Sequence, residues 1–306
     1  MTSYLLRRLG SLFVVMLGVT LFVFAISKVT PGDYVAVRYG DYGTAEQRDA
    51  LRRQLGLDQS VAVQYLRFVS SAARGDLGVS HRSGRPVVTE LATRLPVTLR
   101  LAAATIAVAA VLGIAAGIVA AVRQNTPLDY GTIAVALLGV SIPSFWLGLM
   151  LQIVFGYQLG WLPVAGSGDW RFYVLPAVSL GSSAAGSLAR YTRSAMLEVI
   201  RLDYVRTAHA KGLAHVRVVT KHALRNGLIP VMSVLGLQFA GLMGGAIITE
   251  SIFALPGIGR LSIEALSARD VPVVQGVVLL AAAIIVLTNL VVDLAYTLVD
   301  PRIRYG

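Results

Sequence analysis

Six long apolar segments, each free of Asp, Glu, Lys, Arg and His, are spaced along this chain: Leu9–Ser27, Leu101–Val122, Thr132–Tyr157, Phe172–Leu188, Leu228–Thr249 and Val273–Val292. About 20 apolar helical residues cross the hydrocarbon core of a bilayer, and in lipid only helices and closed barrels satisfy their own backbone hydrogen bonds. The segments therefore predict an all-α integral membrane protein with six transmembrane helices. The fourth is the shortest. It carries Pro176 and a run of Gly and Ser, and is expected to extend through Ala189–Met196, whereas the third carries Pro143, where a kink is expected.

A soluble enzyme is excluded by composition, since 14% of residues are charged and 56% hydrophobic, with mean hydropathy +0.70, against roughly 25% charged in soluble domains. The net charge of +11 raises nucleic acid as a partner, but its placement points to a lipid bilayer surface instead. With a cytoplasmic N-terminus, thirteen basic residues fall on the inner side: Arg7, Arg8, Arg123, eight between Arg190 and Arg225, Arg302 and Arg304. Only three, Arg171, Arg260 and Arg269, fall in short outer loops. The other eleven lie in or beside the long first loop, whose charge counts little towards orientation. Both termini are thus expected in the cytoplasm. Arg7 and Arg8 before an apolar run ending Ala25-Ile-Ser27 also fit a signal peptide, but that run has 19 residues, longer than the roughly 7–15 of a signal core. A retained first span is expected.

Cysteine is absent, which removes disulfides and thiolate chemistry. No Gly-x-x-x-x-Gly-Lys-Ser/Thr phosphate loop occurs, so any ATP hydrolysis that drives this chain must reside in another polypeptide. His81 lies outside, and His209, His215 and His222 lack tight ligand spacing; no metal site is expected.

Between the first two spans, Pro31 to Pro96 is the extramembrane region large enough to fold by itself. Thr44 with Gln47 reads as a capping box opening a helix to about Leu55, ended near Gly56, and Val61–Ala73 reads as a second amphipathic helix before Gly75-Asp-Leu-Gly78. The pair either covers the outer mouth or docks an external protein. Small residues at helical spacing, Gly113, Gly117 and Ala121, and Gly236, Ala240 and Gly244, mark faces of close helix approach. Such faces serve packing, or sliding against a partner subunit. Arg100 and Glu250 border the outer ends of spans two and five, and Asp293 follows Asn289 by one turn in span six. They read as interface anchors or local ion pairs, with a proton or ion relay as the other reading.

The inner segment Arg190–Gly227 carries eight basic residues and the acids Glu198 and Asp203. A helix Tyr204–Lys211 ending at Gly212, then a second basic helical stretch Leu213–Arg225, predicts a helix–turn–helix. It is suited to act as a lever between a soluble partner and the spans. A basic surface held on anionic headgroups is the plainer reading.

The motifs together carry a resemblance over essentially the whole chain. They are Tyr4-Leu-Leu-Arg-Arg8, Pro31-Gly-Asp33, Gly75-Asp-Leu-Gly78, Leu95-Pro-Val-Thr-Leu99, Ser141-Ile-Pro-Ser-Phe-Trp146, Asp203-Tyr-Val-Arg-Thr-Ala208, Ala210-Lys-Gly-Leu213, His222-Ala-Leu-Arg-Asn226, Glu250-Ser-Ile-Phe253, Pro256-Gly-Ile-Gly259 and Asp300-Pro-Arg-Ile-Arg304. In this order they resemble binding-protein-dependent ABC importer permeases, specifically the first permease subunit of the dipeptide/oligopeptide (peptide/nickel) type. Two departures stand out: Arg206-Thr-Ala208 stands where the general permease loop has Glu-Ala-Ala, and His222-Ala-Leu-Arg225 where it has Ile-x-Leu-Pro.

The resemblance implies a type I importer permease fold in a bacterial plasma (inner) membrane and a non-catalytic subunit for peptide uptake. Its implied partners are a homologous second permease, two ATPase subunits that bind ATP and Mg, and an extracytoplasmic substrate-binding protein. No cofactor is implied in this chain. The implied organisation is 1–29 as N-terminal end and first span, 30–96 as outer loop, 97–298 as core permease with the loop 190–227, and 299–306 as tail. The implied ATPase-coupling helix comprises Asp203, Tyr204, Val205, Arg206, Thr207, Ala208, His209, Ala210, Lys211, Gly212 and Leu213. An ion-coupled secondary transporter of small solutes is the rival; it needs an intramembrane carboxylate or broken helices at a midplane site.

Overall fold

The computed structural model describes residues 2–29, 35, 44–54, 56–243 and 246–299. Among these, helices dominate, and the one extended pairing is an isolated antiparallel bridge between Val79 and Pro86. The helices are α1 (Thr2–Val29), α2 (Ala45–Gln54), α3 (Val61–Ala73), α4 (Val87–Val122), α5 (Pro127–Ser141), α6 (Ser144–Leu151), α7 (Arg171–Ile200), α8 (Asp203–Ala210), α9 (Leu224–Met243), α10 (Ile247–Ile252), α11 (Ile258–Ser267) and α12 (Val271–Val299). Pro31-Gly-Asp33, Gly244 and the ending Asp300-Pro-Arg-Ile-Arg304 lie outside the described residues, as does the side chain of Asp293.

Four helical stretches are each long and apolar enough to span a bilayer: Val87–Val122, Arg171–Ile200, His215–Leu242 and Val271–Val291. A further apolar helix pair passes the same test only when its two bent halves are taken together. Pro127–Ser141 and Ser144–Gln158 meet at 92°, so the third apolar segment is two helices where the sequence predicts one kinked helix. Pro143 removes a backbone donor and drives the residue before it out of the helical region. Ile142 is accordingly extended, with φ −78° and ψ 122°. The described apolar part of α1, Val14–Lys28, is shorter than these spans.

The fourth span extends as expected. Its short apolar core continues through Ala189–Met196 in the 30-residue helix α7, and its Gly and Ser run is a packing surface. A Cβ on Gly181 would lie 2.8 Å from Val108 Cγ1, and one on Gly139 of α5 would lie 3.0 Å from the Ser182 carbonyl oxygen. Side chains at these positions would force the helices apart.

The chain divides into two compact units, Met1–Pro96 with Gly257–Val286, and Val97–Pro256 with Leu287–Gly306. In the first, the predicted capping box forms: Thr44 N–H donates to Gln47 Oε1 at 3.1 Å and Gln47 N–H to Thr44 Oγ1 at 3.3 Å. Helix α3 rests on α1, with Phe24 5.4 Å from the Tyr65 ring and 6.1 Å from Phe68. Val87, Leu91, Ile258, Leu261, Ala265, Val273 and Val277 make the core of this unit.

Above that core, the buried carboxylate of Asp270 gathers the loop after Gly78. It accepts the Ser80 hydroxyl at 2.5 Å, His81 N–H at 3.0 Å and Arg82 N–H at 3.2 Å. Burial holds the His81 pKa below its ordinary value, and the Asp270 charge opposes that shift.

In the second unit α7 is central, with α5, α6 and α9 packed on it. Glu250, expected at an outer end as an interface group, is fully buried instead and accepts the Thr98 hydroxyl at 2.7 Å. Gln152 donates to the carbonyls of Val164 and Ile252 at 2.8 and 3.2 Å. Phe253 and Leu255 are buried with Leu101, Tyr173 and Leu175 in the core of this unit. Arg100 is exposed.

Candidate coupling surface

Helix α8 is short, and what holds it is local. Asp203 in its first turn is favourably placed against the helix dipole. Its end is a full Schellman motif: Gly212 N–H donates to the His209 carbonyl at 2.9 Å and Leu213 N–H to the Ala208 carbonyl at 3.4 Å. Gly212 has φ +74°, the left-handed conformation in which a Cβ is penalised by roughly 1–2 kcal/mol. Leu213 packs back on Val205 and Ala208, completing the motif's apolar contact.

Only two side chains of α8 are buried, Val205 at 1% and Ala208 at 6% exposure. They sit on Val199 from the last turn of α7 and on Val218. Tyr204 adds a polar tether, its hydroxyl accepting Asn226 Nδ2 at 2.7 Å and donating to the His222 carbonyl at 3.4 Å. Asp203, Arg206, Thr207, His209, Ala210, Lys211 and Gly212 are exposed. The exposed Arg206–Asp203 pair at 3.3 Å contributes little to holding the helix. The His209 and His215 rings stack at 5.5 Å, and no cluster of three metal-binding side chains occurs among the described residues.

The predicted second helix of the helix–turn–helix is not separate. From His215 the chain runs directly into the fifth span, through His215–Arg217 and a π-helical segment Val218–Ala223. The wider π turn lets two successive valines point inward. Val218 packs under α8, while Val219 joins Ala121, Met196 and Ala223. The surface is therefore α8 seated on the ends of two long helices.

Beside it lies a feature that sequence reasoning missed. Asp129, 1% exposed, accepts Arg193 Nε on one oxygen and Arg193 Nη2 on the other, each at 2.7 Å, and Asn125 N–H at 3.0 Å. This bond set places the Arg123–Asp129 turn at the same end of the helices as 190–227. The signal available in sequence was an acid in the first turn of a helix opened by Pro127. Arg193 counted only towards topology because its partner is 64 residues away.

The small-residue positions divide by place. On α4, a Cβ at Gly113 would fall 2.8 Å from both the Ala185 carbonyl oxygen and Leu188 Cβ, and at Gly117 2.5 Å from Thr192 Cβ. On α9, Ala240 is buried and Gly236 half-buried.

Comparison with known proteins now places this architecture. The model of the binding-protein-dependent transport system inner membrane component matches residues 113–305, and the model of the N-terminal part of such membrane components matches residues 1–102. The chain belongs to this family of transport-system permeases. It is 42% identical over 305 residues to the glutathione transport system permease protein GsiC of Escherichia coli (strain K12), covering all of both chains. It is 44% identical over 335 residues to the di/tripeptide transport system permease protein DppB of Pseudomonas aeruginosa (strain UCBPP-PA14), covering 100% of this chain and 99% of that one. A chain of the MetNI methionine ABC transporter, inward facing, shares the fold with TM-score 0.58 and 19% identity over 69% of this chain and 96% of that one.

The protein is thus a multi-pass membrane permease subunit that works within a larger transport complex. Membership of a binding-protein-dependent family sets aside the ion-coupled carrier weighed from the sequence.

Proposed function

We propose that this subunit forms half of a translocation pathway for small peptides in a bacterial inner membrane, and that Asp203–Leu213 is the surface on which a separate ATPase acts. The observation that carries the reading is the seating of α8: two buried side chains and one tyrosine tether fix it to α7 and α9, while the rest of it is presented outward. A force on that exposed face is delivered to two spanning helices at once. Peptide cargo is supported by full-length similarity to permeases of glutathione and di/tripeptide systems.

On this reading both termini are cytoplasmic. A homologous permease completes the pathway, two ATPase subunits bind ATP and Mg, and an extracytoplasmic binding protein delivers the cargo. Gly113, Gly117, Gly236 and Ala240 serve helix packing. The outer loop, with α2 and α3, meets the binding protein. No step of covalent chemistry falls to this chain.

The test is Gly212→Trp. A Cβ there meets nothing within 4 Å, so the change spares internal packing while straining the turn and placing an indole on the exposed face. Membrane abundance should stay normal, while ATPase retention or peptide uptake falls about tenfold, equivalent to about 1.4 kcal/mol. Wild-type retention together with wild-type uptake would place the docking surface elsewhere.

A further inference from the structure

We infer that Asp129 and Arg193 are positioning residues that lock α5 to α7, so that movement received at α8 is carried into the broken third span. The inference rests on α8 being the coupling surface.

The α5–α7 contact is made by small residues. A Cβ on Gly139 would lie 3.0 Å from the Ser182 oxygen, and one on Gly186 would fall against the carbonyl oxygen of Ala136. Backbones that touch this closely pack well, but they offer few interlocking side chains to stop one helix sliding along the other. A carboxylate as buried as Asp129, paired with a half-buried arginine, is costly to desolvate and earns its place best by fixing register. Here the arginine fork meets both carboxylate oxygens at 2.7 Å, a two-point contact that an ammonium cannot reproduce. The bond from Asn125 N–H ties the α4–α5 turn to the same carboxylate.

Position gives the lock its role. Arg193 and Val199 share the last turns of α7, and Val199 is where α8 rests. Displacement of α8 therefore reaches Asp129 through a single continuous helix. From Asp129, α5 runs to the extended Ile142 and the 92° break before α6. Gly148 of α6 in turn packs on Phe253 and Ser179. With the lock intact, α5 follows α7 and the bend at Ile142–Pro143 takes up the motion; without it, α7 slides past α5 and the bend receives only what α6 takes directly from α7.

The absence of native cysteine gives a direct readout. Ser141→Cys, exposed at the bend, is placed in the full transporter with its ATPases in proteoliposomes, and its maleimide labelling rate is measured with and without ATP and vanadate. In the parent the rate should change by about threefold or more, and Asp129→Asn or Arg193→Gln should remove most of that change while ATPase retention stays normal. Arg193→Lys, which keeps the charge and loses the fork, should respond in between, and it decides the matter if the neutral variants are lost from the membrane. An unresponsive parent, or a response in Arg193→Lys equal to the parent's, would overturn the inference. Gly212→Trp run in parallel separates the two ideas: normal retention and response there undo the coupling surface, whereas loss there with intact response in the Asp129 and Arg193 variants undoes only the lock.

Discussion

Two buried aspartates, one in each compact unit, are satisfied in opposite ways. Asp270 is surrounded by neutral donors from one short loop: a serine hydroxyl and the backbone N–H groups of His81 and Arg82. Asp129 is met by a guanidinium from a different long helix. Neutral donors from a single loop fold that loop onto its anchor and hold it. A charge pair between two helices fixes how they are aligned, and its removal leaves a charge without its partner. The Asp270 anchor therefore reads as a staple of local structure and the Asp129–Arg193 pair as a joint between two helices.

The largest effect that tests this contrast is Asp270→Asn. The amide replaces an acceptor with a donor that faces an N–H or O–H already there, so the loop 78–86 should lose about 2 kcal/mol of local stability. Limited proteolysis of the outer loop reads this directly. ATP-dependent labelling at Ser141→Cys should be untouched; a loss of that response would mean that both aspartates serve one function.

Ser80→Ala is the next, smaller change. Its hydroxyl donates to Asp270 and accepts from Ser83 N–H at 3.0 Å, and its removal should cost about 1 kcal/mol by the same assay. Protection equal to wild type would show that the backbone donors alone hold the staple.

The smallest expected effect is a pH dependence. Because the folded-state pKa of His81 is depressed by burial, the unfolded loop binds more protons as pH falls through the ordinary histidine value near 6.5. Outer-loop protection should thus be fully present above that value and decline below it, and His81→Asn should flatten the profile. A profile unchanged by the substitution would assign any acid sensitivity to another group.

Much of this molecule was legible because its signals are local. The Thr44–Gln47 box and the glycine after Lys211 each act within a turn or two of chain, and each appears where the residues place it; of the six apolar runs, four lie in helices long enough to span, one forms a bent pair, and the described apolar part of the first is shorter. Pro143 was legible as a kink but not as a 92° break. A proline only removes a hydrogen bond, and the angle then depends on what the freed halves pack against. The Gly and Ser run of the fourth span was legible as part of an extended helix but not as a contact surface. Its composition does not say which helices it meets, yet between α4 and α5 it is what lets backbones meet.

The sequence by itself determined a membrane-embedded helical protein, the concentration of basic residues in 190–227 and the short helix ended by Gly212, because hydrophobic length, charge placement and αL geometry are properties of neighbouring residues. Only the tertiary structure decided that Asp129 belongs to Arg193, Glu250 to Thr98 and Asp270 to Ser80, pairs separated by 64, 152 and 190 residues. A buried carboxylate must find a donor, but its own sequence position does not say which one the packed helices will bring within reach.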